Sequence, residues 1–129
     1  MLRVCCAIIQ HEDKVLVAQR NEKGLLPMKW EFPGGKVEQG ETDEECIVRE
    51  IKEELDMIVT IEKRLSTVVH HYDTFSLTLI PFVCNSKTAN YTRQEHNQVV
   101  WSTVKQLSDY DWAEADIPVY EEFLLDVNQ

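Results

Sequence analysis

The chain has 129 residues and carries 13 Lys and Arg against 23 Asp and Glu, a net charge of −10. That length predicts one domain, residues 1–129, with room for a substantial core. The acidic balance argues against a nucleic-acid polymer as partner, since such binding needs clustered Lys and Arg. No run approaches the roughly 20 apolar residues of a membrane helix.

The first nine residues are apolar but short, and polar Gln10-His11-Glu12-Asp13-Lys14 follows. This lacks the layout of a signal peptide and reads better as a first strand. Cys5, Cys6, Cys46 and Cys84 show no C-x-x-C spacing, so four reduced, mostly buried thiols in a cytoplasmic protein are expected. On a strand, adjacent Cys5 and Cys6 point to opposite faces.

Residues 4–9 and 14–19 read as two strands of a hairpin-like pair joined at His11-Glu12-Asp13. A loop over 21–27 carries Gly24 and Pro27 as breakers. Trp30-Glu31-Phe32 is short and β-like before the turn Pro33-Gly34-Gly35, which permits close backbone approach. A helix follows Thr42. Residues 57–61 resume β-branched character, and 65–70 and 74–84 are further strands. In the last of these Phe75, Leu77 and Leu79 alternate with Ser76 and Thr78, so one face is buried. Residues 85–97 form a polar loop and 99–101 a short strand. Ser102 is a candidate cap for a short helix over 104–107. Pro118 opens a final helix over 119–127 whose apolar side is Val119, Phe123, Leu124 and Val127. Strands, a helix, strands and a helix in that order predict an α/β fold with a mixed β-sheet between helices.

The middle helix carries the chemistry. Thr42-Asp43-Glu44-Glu45 fits a capping box, and its acidic first turn suits the positive helix end. Ile47, Val48, Ile51 and Leu55 fall within about 100° on the wheel and form a core-facing stripe. Glu54 sits at the edge of that stripe, with Glu50 and Glu53 further round. These three acids, at i, i+3 and i+4, share a face. Their repulsion is relieved by a hard divalent cation with oxygen ligands, and Mg²⁺ is typically held by a few carboxylates plus substrate phosphates. The alternative is an exposed acidic helix whose glutamates only meet solvent.

Gly35, five residues, Glu41, seven residues, then Arg49-Glu50-Ile51-x-Glu53-Glu54-x-x-Met57 resembles the Nudix box of hydrolases that cleave nucleoside diphosphates linked to another group. The resemblance is to the MutT-type branch and covers nearly the whole chain. It implies an α/β/α sandwich and Mg²⁺, or Mn²⁺ in its place, held by Glu50, Glu53, Glu54 and the Gly34 carbonyl. It further implies Glu50 or Glu53 as base, with Glu95, six residues before Trp101, as a third candidate base or a metal ligand. Arg49 would orient a glutamate; on the wheel it points away from the acid patch. Glu41 would tie down the loop that starts at Gly35. Asp56 departs from the family's usual Gly at the helix end, where an αL residue is common and Asp is tolerated.

The same resemblance places Arg20, eleven residues before Glu31, on substrate phosphates, for which a guanidinium suits; an ordinary surface arginine is the alternative. Ala115-Asp116-Ile117-Pro118 is similar to a string in CTP and 5-methyl-dCTP pyrophosphohydrolases. An ionised Asp116 would accept from the exocyclic amine of cytosine, with Glu31 assisting. Capping of the last helix is its other reading. Tyr72 or Phe75 could stack a base or simply pack the core; His70 and His71 receive no role. The implied activity is hydrolysis of a nucleoside triphosphate, a small-molecule nucleotide, to monophosphate and pyrophosphate by a monomer or homodimer. A cytidine nucleotide is the first choice of substrate and an oxidised purine nucleotide the second. A silent nucleotide-binding sensor is the alternative of another class.

Overall fold

The structure, a computed structural model, describes residues 1–93 and 95–128. β1 (Leu2–His11) and β2 (Lys14–Gln19) form the hairpin that the alternation predicts. β3 (Trp30–Glu31) and β4 (Gly34–Lys36) precede α1 (Asp43–Leu55). β5 (Val59–Arg64), β6 (Val68–His71), β7 (Ser76–Ser86), β8 (Gln98–Thr103) and α2 (Ile117–Val127) complete the chain, with 3₁₀ turns at Lys105–Asp109 and Glu114–Asp116. The expected turn at Pro33-Gly34-Gly35 is instead a short strand, because its backbone pairs antiparallel with β1.

One mixed sheet runs β3-β2-β1-β7-β5, with β4 on β1, β6 on β7 and β8 on β2. Only β1 and β7 are parallel, in register from Leu2–Leu77 to Gln10–Asn85; the other strand pairs are antiparallel. Both faces of β1 are covered, so its residues alternate between two cores. Cys5, Ala7 and Ile9 pack with Ile47, Ile51 and Leu55 of α1; Cys6 and Ile8 pack with Val119 and Phe123 of α2. The result is an α/β/α sandwich. All four cysteines are free and buried. Among the described residues no helix is long and apolar enough to cross a membrane.

Pro81 lies in β7, between two neighbouring strands, where a missing N–H ordinarily breaks a ladder. β5 pairs with residues up to Phe82 and β6 begins at Leu79. Pro81 sits at that junction, and its carbonyl accepts from Leu65 N–H at 2.9 Å. The missing donor therefore falls where no strand partner is waiting.

Local chemistry fixes the helix ends. Thr42 accepts from the Glu45 amide at 3.0 Å and the Glu45 carboxylate accepts from the Thr42 amide at 2.8 Å, the full capping box. Asp56 closes α1 in the left-handed region at φ 52°, with its amide donating to the Lys52 carbonyl. Three details differ from expectation. Val48 is 39% exposed and Cys46 takes its place in the core, because the buried arc of α1 is centred on the Ile47–Ile51 row. Thr103 rather than Ser102 starts the 3₁₀ turn, exchanging hydrogen bonds with Gln106, since Ser102 is buried in β8. Val127 faces out at the frayed end of α2.

Asp56 is exposed, and its ion pair with Lys52 is solvent-screened, worth about 0.3–0.5 kcal/mol. Asp56→Gly removes that pair and relieves a left-handed non-glycine residue. The expected outcome in urea denaturation is a change between neutral and about 1 kcal/mol of stabilisation. A clear loss of stability would reveal a partner for Asp56 beyond Lys52.

Candidate active site

The acid-bearing face of α1 meets β4, and glycine makes the meeting feasible. A Cβ at Gly34 would stand 1.9 Å from the Cys5 carbonyl oxygen, so only Gly lets β4 close onto β1 there. A Cβ at Gly35 would stand 2.3 Å from the Glu50 carboxylate. Gly35 thus gives Glu50 its space.

Arg49 gathers the acids. Its Nε and Nη2 donate to Glu41 at 3.0 and 2.7 Å, and its Nη1 donates to Glu50 at 2.8 Å and Glu53 at 3.1 Å. The wheel-based expectation that Arg49 points away from the acid patch is therefore overturned. A long, flexible arm curls back over its own helix toward the charge. Glu41 also accepts from the Glu38 amide at 2.8 Å. The Arg49 guanidinium and that amide hold its carboxyl down to about 2, and the same bonds hold Arg49 firmly charged.

Glu54 stands apart from this network. Its Oε2 is buried without a hydrogen-bond partner among the described residues. Burial, then the Glu50, Glu31 and Glu95 carboxylates, push its pKa up to about 8, opposed by the Gly34 amide. No three His, Cys, Asp or Glu among the described residues form a ready ligand cluster. The acids are drawn onto Arg49 instead. An orphaned, hard carboxylate oxygen surrounded by like charge is the environment that a hard cation would satisfy, so the donor set fits a divalent ion.

Glu54 lines a cavity of about 480 Å³, a size that suits a small-molecule ligand. Arg20, Glu31, Gly34, Gly35, Tyr72, Phe75, Glu95 and Asp116 share its lining. Glu41, Glu50 and Glu53 do not line it. Glu50 lies behind Gly35, and Glu53 faces outward beside Arg49.

Another part of the cavity wall is built on β3. Trp30 donates its amide to Asp111 and accepts from the Ala113 amide, both at 2.9 Å, so residues 111–113 extend the sheet edge. The Glu114–Asp116 turn follows and delivers Asp116, only 6% exposed. Its Oδ2 accepts from the Phe32 amide at 2.9 Å. The expectation that Asp116 caps the last helix is overturned: it occupies that position but makes no capping bond. Burial and the Glu31 carboxylate push its pKa well above the usual carboxylate range, against the Phe32 amide and Arg20. That favours a neutral acid, which can donate as well as accept, in place of the ionised acceptor expected from sequence.

Arg20 donates to Glu31 at 2.9 Å through Nη1 and to the Leu25 carbonyl at 2.9 Å through Nε. Two of its three nitrogens are thereby committed at the Glu31 end. Tyr72 accepts from the Ala115 amide at 2.8 Å and stacks on Phe75 with ring centroids 4.8 Å apart. It supports the turn carrying Asp116 while walling the cavity.

Sequence reasoning missed three groups here. Lys23 and Lys36 bring positive charge to the lining, and His96, with its side chain 8% exposed, bonds Glu31. Lys36 follows Gly35 directly and was within reach of a closer reading of the box. A single His in a polar loop gives no periodic or spacing signal.

A cavity between a crowded acidic helix and two carboxyl groups, Asp116 buried and Glu31 half-buried, on this sandwich, defines a Nudix hydrolase. The NUDIX domain family matches residues 4–122, and the chain belongs to it. It is 32% identical to the CTP pyrophosphohydrolase of Escherichia coli, over 96% of this chain and 92% of that protein. It is 40% identical to the 8-oxo-dGTP diphosphatase of Proteus vulgaris over 59% of this chain and 68% of the relative. The solution structure of the DNA mismatch repair protein MutT from Staphylococcus aureus superimposes with a TM-score of 0.79 at 37% identity, covering 97% and 96% of the two chains.

Because the folded pKa of Asp116 is raised above its unfolded value of about 3.9, the stability it contributes is fully present below pH ~4 and is lost as pH rises through the folded value. Asp116→Asn carries no such titration. The stability difference, parent minus variant, should therefore fall as pH rises from 4 toward 8 or above, read from urea midpoints at each pH. A difference that stays flat, or grows with pH, would show that Asp116 is ionised in the folded protein.

Proposed function

We propose that this chain, as a single domain, hydrolyses a nucleoside triphosphate to the monophosphate and pyrophosphate with Mg²⁺, and that its substrate is a cytidine nucleotide, CTP or dCTP. The observation that carries this reading is the lining of the cavity. Glu54 offers an unpartnered oxygen to it, and Glu31 and the buried Asp116, each held by hydrogen bonds, line the same cavity.

Glu50, Glu53 and Glu54, with the Gly34 carbonyl and Glu95, are the groups that would hold the cation; Mn²⁺ could replace Mg²⁺. When bound, such an ion supplies neutralisation of phosphate charge and a lowered pKa for water. The chain's own residues do the rest. Glu50 or Glu53, once turned from Arg49 into the cavity, or Glu95, which already lines it, takes the proton from the attacking water. Until then Arg49 holds Glu50 and Glu53 in place and Glu41 anchors Arg49. Lys23, Lys36 and the Nη2 of Arg20, whose other two nitrogens are bonded to Glu31 and Leu25, supply positive charge toward the phosphates in an otherwise acidic molecule.

Cytosine offers an N4 amine beside an N3 acceptor. A Glu31 carboxylate accepting from the amine and a neutral Asp116 donating to the ring nitrogen would match that edge. The relative named as a CTP pyrophosphohydrolase, similar over nearly its full length, supports the same choice. The oxidised-purine reading keeps its place because a neutral Asp116 can donate to a purine carbonyl, and because a relative is named as an 8-oxo-dGTP diphosphatase. A silent sensor is disfavoured by the complete set of box acids.

Two measurements test the proposal. Glu53→Gln and Glu54→Gln should each reduce turnover roughly a hundredfold or more with the fold intact, and chelation should abolish turnover until Mg²⁺ or Mn²⁺ is returned. A double variant within about tenfold of the parent would end the assignment of these acids. Pyrophosphate release in competition should favour dCTP over UTP by about tenfold to a hundredfold, the worth of one mismatched hydrogen bond. Preference for oxidised dGTP over dCTP by about tenfold would replace cytidine with the purine reading.

A further inference from the structure

The loop that carries Glu95 is held to the base end of the cavity by a residue with no assigned role. His96 Nε2 lies 3.0 Å from Glu31 Oε2. A carboxylate can only accept, so Nε2 carries the proton and donates. The other oxygen of the same carboxylate takes Arg20 Nη1 at 2.9 Å. The His96 side chain is almost wholly buried, while its neighbour Glu95 is exposed and lines the same cavity. The backbone on either side is tied to the end of β2. Asn21 Nδ2 donates to the Glu95 carbonyl at 3.0 Å, and the Asn97 amide donates to the Gln19 carbonyl at 2.9 Å. Glu31 is thus one carboxylate with two duties, as a reader at the base end and as the anchor for the Glu95 loop.

We propose that His96 is a positioning residue that couples base recognition at Glu31 to the placement of the Glu95 carboxylate. The inference rests on the reading of Glu31 and Glu95 given above. Each carboxylate oxygen has two lone-pair sites, so a base donor can join Glu31 without displacing His96. Donors on both oxygens of one carboxylate restrict its rotation, so each contact limits the directions open to the others. A base that satisfies Glu31 keeps the carboxylate turned toward His96, and His96 keeps the next residue, Glu95, aimed at the reacting end. A base that pulls Glu31 away loosens both. Base identity should then be expressed in kcat and not in KM alone.

The test is a kinetic cycle on the full chain with dCTP and UTP and Mg²⁺. His96→Ala should lower kcat for dCTP by about tenfold or more, with KM changed by less than about threefold, since misplacement of a reacting group costs turnover rather than binding. His96→Gln keeps an N–H at nearly the same reach and should recover most of the loss. In an E95Q background His96→Ala should cost little further, because the group it positions is already disabled. The parent should show the base effect in kcat; His96→Ala should confine it to KM. Urea midpoints of the variants monitor the fold separately. Additive losses in the cycle, or a kcat indifferent to His96→Ala while E95Q is impaired, overturn the coupling and leave the role of Glu95 standing. An E95Q variant that turns over like the parent overturns both together.

Discussion

Arg49 bonds Glu41, Glu50 and Glu53 at once, and the architecture of the acidic face depends on that arrangement. Two of those acids and Glu54 lie within one turn of α1, where like charges three and four residues apart repel. A single guanidinium, with five donors in a rigid fork, neutralises part of the patch and ties it to the loop that begins at β4. Remove that cation and the loop, the helix face and Glu50 lose their common fixture. Glu54 is the acid that Arg49 does not reach. Its unsatisfied oxygen is held in place by the packing of Ile51 and Leu55 on the sheet and by the close approach of β4.

That approach is a steric matter. Gly34 lies against the Cys5 carbonyl at a separation no Cβ could accept, and a Cβ at Gly35 would displace the Glu50 carboxylate. The strand that follows β3 is therefore pressed into the sheet, and the acidic helix is brought to the mouth of the cavity. Charge and sterics act on the same few residues.

The cavity wall around Glu31 and Asp116 follows a different logic. There the acids are few and individually bonded: buried Asp116 to the Phe32 amide, half-buried Glu31 to Arg20 and His96. Low exposure favours the neutral form of Asp116 and gives its hydrogen bonds direction. On α1 the excess negative charge is met by Arg49, whereas around Glu31 and Asp116 the carboxyl groups are managed by burial and pairing.

The sequence by itself determined what depends on near neighbours along the chain. The capping box, the left-handed Asp56, the hairpin of β1 and β2 and the opposite facing of Cys5 and Cys6 are all local, set by backbone preference and periodicity. The family was legible too, since its box is a contiguous run of residues at fixed spacing. Tertiary structure decided what depends on distant segments. The curl of Arg49 onto its own acids is driven by a loop eight residues away. The upward pKa shift of Asp116 arises from its burial in the packed surroundings, beside Phe32, which lies 84 residues earlier. The clamp of His96 on Glu31 joins residues 65 positions apart. Protonation, exposure and side-chain partnership are properties of the packed surroundings, and no periodicity in the chain encodes them.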